Sequence, residues 1–590
     1  MLIFILPVVA AAAAIAYGVI WVLVDYVRIL RLRRRMAPGP FPLPLFGNIF
    51  QIPSSRQWKK FEEWSFKYQS PIITIWDGHT PVIICNDAWS MSNLCDKLAN
   101  IYSSRAVKTL TGKIFGLNKF NQAGLAYGEQ WRLHRRLTHS AANAQIVQTY
   151  RAVQANESKL LINECLNDPG RFVQGALRFT VSIVSVIAWG RRISSESDNV
   201  LKVAQAFVGS ANLGFPGKTY TEAIPILASM PPWLNALPNQ LRKLADTSNK
   251  YFYALSVEGA EAAQDNFAKR LLREKEEHGL TKVEISNLTG NFIGAGVDTT
   301  TSTMLTFVLA MCLNPDVQRK AQEEIDGVIG HDRYPDWSDE GNLPYLAAII
   351  NETLRWRPAF ALGGPPHAPT EDHVHNGFLI PKGTAVIGNL YAISRNPREY
   401  PQAQRFWPER FLDGFDRPAY PNKRGHNAFG WGRRVCSGEA LAQQSLYFTI
   451  VSLLWAFHIR PGLDENGVEV TLDPDAYTVS QVNRPVPFKV RFLPRSEKIA
   501  SLVKEGAENA RSELRAFDAE TKVTFESAQS VSLDMPVAHS KGEDETGSTE
   551  FNSQLVKYGD TLTGGGEGVI KSEGCVYMLR KIVLDEISYC

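Results

Sequence analysis

The first 24 residues, MLIFILPVVAAAAAIAYGVIWVLV, carry no charged side chain. A helix of that length rises about 36 Å at roughly 1.5 Å per residue, enough to cross the hydrocarbon core of a bilayer. Arg28, Arg31, Arg33, Arg34 and Arg35 follow the apolar run instead of preceding it. That order is the reverse of a cleaved signal peptide, so the pattern predicts a spanning helix over 1–25 whose C-terminal side stays in the cytosol. A buried core helix is the competing reading, and a charge-free run at the extreme N-terminus speaks against it. Residues 26–54 then read as a basic, proline-rich connector: four prolines in the seven residues from Pro38 to Pro44 forbid a helix and stiffen the chain. Between 55 and 496 helical periodicity dominates, as in Gln145 to Leu166 and Asp298 to Ile329. Ile72 to Cys85 and Gly377 to Leu390 read as short strands. From 497 to 590 the chain is polar and mixed in charge, interrupted by SKGEDETG (Ser540 to Gly547) and GGGEG (Gly564 to Gly568). This predicts a disordered C-terminal extension containing a short helix from Ile499 to Phe517.

Composition narrows the classes. At 590 residues with 44% hydrophobic side chains, the chain can fill a core larger than usual for one domain. The formal charge of +3, from 63 basic and 60 acidic residues, is too small for a nucleic-acid surface, so any basic partner surface is local. The seven cysteines (85, 95, 165, 312, 436, 575 and 590) lack the paired spacings of zinc sites and the density of a disulfide scaffold, which points to a reducing compartment. Cys85 and Cys95 lie in apolar surroundings and read as buried. Asn156, Asn287 and Asn351 open glycosylation triplets that carry no meaning in a cytosolic domain.

The stretch FGWGRRVCSGEA places Cys436 among glycines and just before a mostly apolar helical run, Ala440 to Phe457. At a helix N-terminus the free N–H groups and the dipole favour a thiolate. A lone soft sulfur suits a metal whose other ligands are not protein, and haem iron with its four porphyrin nitrogens fits. A glycine-rich loop holding a small hydrophobe is the plainer alternative for a Gly-Cys pair. A second stretch, Asn291 to Thr303 (NFIGAGVDTTTST), is poorly composed for a helix: Gly294 and Gly296 cost about 1 kcal/mol each relative to Ala, yet its flanks read as a buried helix. Such local misfit marks function. Threonine hydroxyls bend a helix and glycine admits a ligand close to the backbone, or the run is a plain polar stripe. His367, His373 and His375 suggest zinc only weakly, because no fourth ligand is evident.

The pattern Phe429-x-x-Gly432-x-Arg434-x-Cys436-x-Gly438 resembles the haem-binding signature of the cytochrome P-450 family. The resemblance implies a mainly α fold with small β-sheets. It implies haem b with Cys436 as axial thiolate, Phe429 packed near the sulfur, and Arg434 paired with a haem propionate. Ala295 through Thr300 resembles the family's oxygen-binding helix, which implies that Thr299 hydrogen-bonds dioxygen and Asp298 helps relay protons for O–O cleavage. Glu352 and Arg355 share a helix face by their i,i+3 spacing. With Phe406 to Phe411 (FWPERF), the resemblance implies that Arg410 joins them in a buried structural network. Trp131 and Arg135, four apart and so on one face, match the family's W-x-x-x-R pattern and are implied to reach a propionate. Arg132 and Arg136 point elsewhere, either as solvated charges or as part of a docking surface. His367, in GGPPHAP, stands where the family often places another propionate partner. The resemblance spans about residues 38 to 495, and the extension beyond has no counterpart.

By that resemblance the protein is a monooxygenase placing one atom of O2 in a hydrophobic small molecule, as a tailoring step in fungal secondary metabolism. No G-x-G-x-x-G opens a βαβ unit, so electrons come from a partner, by implication a membrane-bound NADPH-cytochrome P-450 reductase docking near Cys436. The implied location is the endoplasmic reticulum membrane, single-pass, with a cytosolic catalytic domain and no nucleic acid bound. A haem-thiolate isomerase or dehydratase that needs no O2, and a non-catalytic haem-binding protein, are the rivals. Expected pocket walls are Phe292, Ala295, Phe360, Ala361, Leu362 and the turn from Thr478 to Val482.

Overall fold

The apolar N-terminal run is helical over Leu2–Arg33 (α1) in a computed structural model, which describes residues 2–195 and 198–533. Its Val9–Arg33 part is long and apolar enough to cross a membrane, with none of its most apolar 18-residue window buried, while Ile29 near its end packs into a core cluster. The helix continues past the expected boundary at 25, so Arg28, Arg31 and Arg33 lie on its last turns. Pro169–Trp189 and Lys282–Leu313 are also long and apolar enough to cross one, but 89% and 78% of their most apolar windows are buried, which makes them core helices.

The proline-rich segment is more than a spacer, because it docks on the first strand. Pro38 O accepts Thr74 N–H at 3.0 Å and Asn48 exchanges bonds with the backbone of Trp76. A side chain on Gly39 would sit 1.9 Å from Thr74 O. The strands are β1 (Ile72–Asp77), β2 (Thr80–Cys85), β3 (Ser104–Arg105), β4 (His367–Ala368), β5 (His373–His375), β6 (Phe378–Ile380), β7 (Ala385–Gly388), β8 (Phe457–Pro461) and β9 (Val490–Pro494). One five-stranded sheet has the order β1-β2-β7-β4-β3, with β2 and β7 parallel and the other pairs antiparallel; β5-β6 and β8-β9 are separate ribbons. The expected strand region Gly377 to Leu390 divides at Pro381 and at Gly383, whose φ of +77° needs glycine.

The helical body comprises α2 (Gln57–Lys67), α3 (Glu129–Ala142), α4 (Arg151–Asn167), α5 (Phe172–Trp189), α6 (Leu237–Glu261), α7 (Lys282–Leu313), α8 (Pro315–Val328), α9 (Pro344–Trp356), α10 (Glu439–Ala456) and α11 (Glu497–Leu514), with further helices between them, among them Asn199–Ala211. A capping box of Thr281 and Glu284 starts α7. It runs to Leu313, where Pro315 opens a new helix, so the predicted helix Asp298 to Ile329 is two helices. Gln145 to Leu166 begins with a 3-10 turn, Ile146–Tyr150, before α4.

The expectation of a loose extension from 497 is corrected for its first part. In α11, Ile499, Val503, Ala507, Ala510 and Leu514 fall on one face by helical spacing and are buried in the main core. The chain beyond stays fastened: Glu513 binds the buried Asn156 at 2.6 Å, Asp518 binds Arg192 at 3.1 Å, and Glu258 accepts from Thr521 and Lys522, both at 2.7 Å. Residues 534–590, with both low-complexity stretches, lie outside the described residues.

Candidate active site

The Cys436 loop is shaped by backbone bonds and close approach. Cys436 N–H donates to Phe429 O at 2.9 Å, closing the turn, and Gly430 and Gly432 hold φ of +81° and +54°. Gly432 N–H donates to Asp96 at 2.6 Å, and a Cβ there would lie 2.0 Å from Cys95 O, so only glycine seats the loop on that neighbour. Gly438 caps α10, whose first residue Glu439 is held by Arg424 at 2.5 and 2.7 Å.

Cys436 has exposed surface, yet it is enclosed by protein: that surface opens into a cavity of about 360 Å3. Burial pushes its thiol above the usual range, and Glu439 adds to that; the Gly438 N–H, Arg135 and Arg424 pull the other way without prevailing. The helix terminus favours the thiolate as expected, through the Gly438 N–H, but it is not sufficient by itself. Desolvation outweighs the dipole, and a cation at the sulfur is what would settle the deprotonated form.

Three guanidiniums border the same cavity. Arg434 donates to the carbonyls of Ser103, Gln122 and Leu125 at 2.6, 3.2 and 2.6 Å and lies 4.3 Å over the Trp131 ring. Burial, with Arg105 and Arg135 nearby, pushes it down to about 8. Arg105 bonds the carbonyls of Ala123 and Pro365, and burial lowers it to about 10. Arg135 is lowered by burial and opposed by Cys436. His367 Nδ1 lies 2.9 Å from Tyr102 O, which fixes the proton on that nitrogen, and burial with Arg105 and Arg434 holds the ring well below its ordinary value. Among the described residues none of the three arginines has a carboxylate partner. Such unpaired buried charge is costly, so the donor set calls for anionic groups in the cavity. A haem, with two carboxylates and an iron that takes a soft sulfur, fits that demand.

Trp131, Arg135, Thr299, His367, Phe429, Arg434 and Cys436 all line the cavity. Asp298 does not; burial raises its carboxyl against the opposing charge of Arg484. Thr299 Oγ1 donates to Ala295 O at 2.9 Å, one turn back. Gly296, expected to admit a ligand, also admits α5: a Cβ there would meet Val184 at 2.7 Å. Phe292, Ala295, Phe360 and Leu362 face the cavity; Ala361 and Thr478 face a different one, and Val482 bridges to Phe360. Sequence reasoning missed Arg105, Ile183, Val184 and Trp431 in the wall. His373 turns to Tyr102 OH at 3.0 Å, away from His367.

Glu352, Arg355 and Arg410 meet outside the cavity. Arg355 reaches the two Glu352 oxygens at 3.0 and 2.5 Å, Arg410 approaches Glu352 at 3.3 Å, and Trp407 N–H donates to it at 2.7 Å. Arg355 also binds the carbonyls of Ser394 and Ala403 and lies 5.3 Å over Tyr400. Tyr400 OH donates to Gly425 O at 2.6 Å, which ties this network to the segment leading into the cysteine loop.

Comparison with known proteins agrees with this geometry. The cytochrome P-450 family model matches residues 37–490, and the chain belongs to that family. It is an oxygen-incorporating oxidoreductase of the mainly helical fold that the resemblance implied. Cytochrome P-450 monooxygenase 253 of Postia placenta is 33% identical over 494 residues, covering 80% of this chain and 92% of its own. The monooxygenase peniB of Penicillium patulum is 33% identical over 480 residues (81% and 88%), and criE of Aspergillus cristatus is 32% identical over 503 (84% and 91%).

Proposed function

We propose that the protein is a membrane-anchored haem-thiolate monooxygenase that places one atom of O2 in a hydrophobic small molecule, as a tailoring step in fungal secondary metabolism. The observation that carries this reading is the Cys436 sulfur opening into a cavity bordered by guanidiniums that have no carboxylate partner among the described residues. Cys436 would supply the sulfur that holds the haem iron, with Phe429 beside it on the cavity wall. Trp131, Arg135, His367 and Arg434, joined by Arg105, would hold the propionates of haem b. Bound there, haem supplies the one-electron and O2 chemistry that side chains lack.

The chain's own contribution is placement and proton supply. Asp298, whose carboxyl is raised by burial, keeps its proton to higher pH than an exposed aspartate does and can pass it toward the Thr299 hydroxyl on the cavity wall. Phe292, Ile183, Val184 and Leu362 exclude water and favour an apolar substrate. Glu352, Arg355 and Arg410 would keep the cysteine loop in place. Electrons would come from an NADPH-dependent reductase. Arg132 and Arg433, which both stack on Tyr127 at 5.6 and 5.1 Å, form with Arg136 an exposed basic surface next to the cysteine loop suited to an acidic partner. Residues 1–25 would anchor the body, a cytosolic domain over 55–496, to the endoplasmic reticulum by a single pass.

The test is product analysis with isotopically labelled O2 in microsomes carrying the protein and its reductase. Label is expected in product, and Thr299→Ala is expected to consume reductant with less product formed. Unlabelled product, or unchanged coupling in the variant, overturns the reading.

A further inference from the structure

The segment 358–362 lies between two cavities. Ala359, Phe360 and Leu362 face the Cys436 cavity, while Pro358 and Ala361 face a smaller one of about 40 Å3. That is more than the ~10–15 Å3 a single water needs. The smaller cavity lies between the start of α2, this segment, and the turn around Thr478.

Four cations line it: Arg56, Lys59, Arg357 and Arg395. Two carboxylates oppose them. Asp475 is held by Arg357 at 3.0 Å, and Glu62 sits in the field of Arg395 and Lys59. Arg395 is only 8% exposed and lies 3.7 Å over the Tyr391 ring, with Lys59 Nζ at 5.9 Å from the same ring. It donates through one terminal nitrogen to Tyr391 O at 3.1 Å, and its buried Nε has no acceptor among the described residues. A buried guanidinium leaving a donor unused is costly unless something fills that place. Burial, with Arg357 nearby, pushes it down to about 9, although Tyr391 and Asp475 pull the other way. The 11-residue α2 begins at this cavity with no side-chain cap, after Arg56 in the left-handed conformation (φ 52°). Its free N–H groups and dipole add a positive end to the four side chains.

We propose that this cavity binds a phosphate-class oxyanion, either as a free ion or as the headgroup of an anionic lipid. Arg395, which lines the cavity, would supply a terminal N–H, Arg56 and Lys59 would close over the anion from the surface, and the α2 terminus would complete the site. It is independent of the haem-bearing cavity, and none of its residues has a part in the proposed reaction.

The experiment uses the full-length haem-loaded protein in nanodiscs of phosphatidylcholine, alone or with phosphatidic acid. Thermal unfolding is followed against inorganic phosphate, with chloride at matched ionic strength as the reference. Arg56→Gln/Lys59→Gln, a surface pair, is the variant, and an unchanged Soret band checks its fold. A saturable rise in Tm with phosphate is expected in phosphatidylcholine, with apparent affinity weakened about tenfold or more in the double variant. If phosphatidic acid abolishes the phosphate response, the headgroup occupies the site; if the response persists, the free ion does. Both support the proposal. A rise no greater than with chloride, or one equal in wild type and double variant, overturns it.

Discussion

Arg105 and His367 stand directly opposite each other in the antiparallel pair β3–β4, and both line the cavity that holds Cys436. The pairing places a fixed cation beside an imidazole that burial, aided by the same cation, holds well below its ordinary value. Arg105→Ala removes one charge-assisted donor from the expected propionate side, an interaction worth about 1.5–3 kcal/mol. Haem retention, read as the Soret-to-protein ratio after exposure to a competing apo-globin, is expected to fall by roughly ten- to a hundredfold. His367→Gln, which keeps a neutral donor, is expected to lose less. Equal retention in wild type and Arg105→Ala would remove Arg105 from the site.

His426 makes the cysteine loop acid-sensitive. It is 1% exposed, accepts Ala428 N–H at 3.3 Å through Nδ1, and leaves Nε2 without a partner among the described residues. Burial, with Arg424 and Arg417 nearby, pushes it down to about 3 from an ordinary 6.5. The unfolded chain takes up this proton near pH 6.5 and the folded one resists it. The contribution is therefore complete above about pH 6.5 and declines as pH falls toward 3, by an amount on the order of a few kcal/mol. His367 acts with the same sign. Tm is expected to drop between about pH 7.5 and pH 5, and His426→Gln, which retains an acceptor for Ala428, is expected to flatten that drop. A slope identical in the two proteins refutes the assignment.

Among the described residues Glu352 is the only carboxylate in the ion pairs of Arg355 and Arg410, and both it and Arg355 are wholly buried. Glu352→Gln preserves shape but leaves two guanidiniums without a counter-ion, a loss of about 3–5 kcal/mol for breaking such a pair. Denaturant unfolding followed by far-ultraviolet dichroism is expected to show the midpoint falling at constant slope. A cost under about 1 kcal/mol would mean that the backbone carbonyls around Arg355 satisfy it unaided.

What could be read from the chain alone was what depends on near neighbours. The Cys436 loop, the Trp131/Arg135 pair and the Glu352/Arg355 pair are set by spacings of a few residues, and the apolar run of α1 needs no partner to be recognised. Arg105 was invisible because its place comes from a two-residue strand paired with residues far along the chain. Asp298 and Thr299 adjoin in sequence, but successive helix residues point about 100° apart, so the turn that puts Thr299 on the cavity wall takes Asp298 off it. In α11 the buried stripe includes Ala507 and Ala510, whose small side chains hardly register as an apolar period in a polar context.

That stripe leads to the last prediction. α11 lies beyond the residues matched by the family model, yet Leu514 is 1% exposed and Val503 likewise, both within the core shared with α4 and α10. Leu514→Ala removes buried methyl groups from a packed site and is expected to cost about 2–5 kcal/mol. Lys504→Ala, on the exposed face of the same helix, is expected to stay within about 0.5 kcal/mol. Thermal melts of the two variants separate a packed helix from a tethered one: in a helix resting loosely on the surface, both changes would be equally mild, and the 497–514 segment would then have no part in holding the catalytic body together.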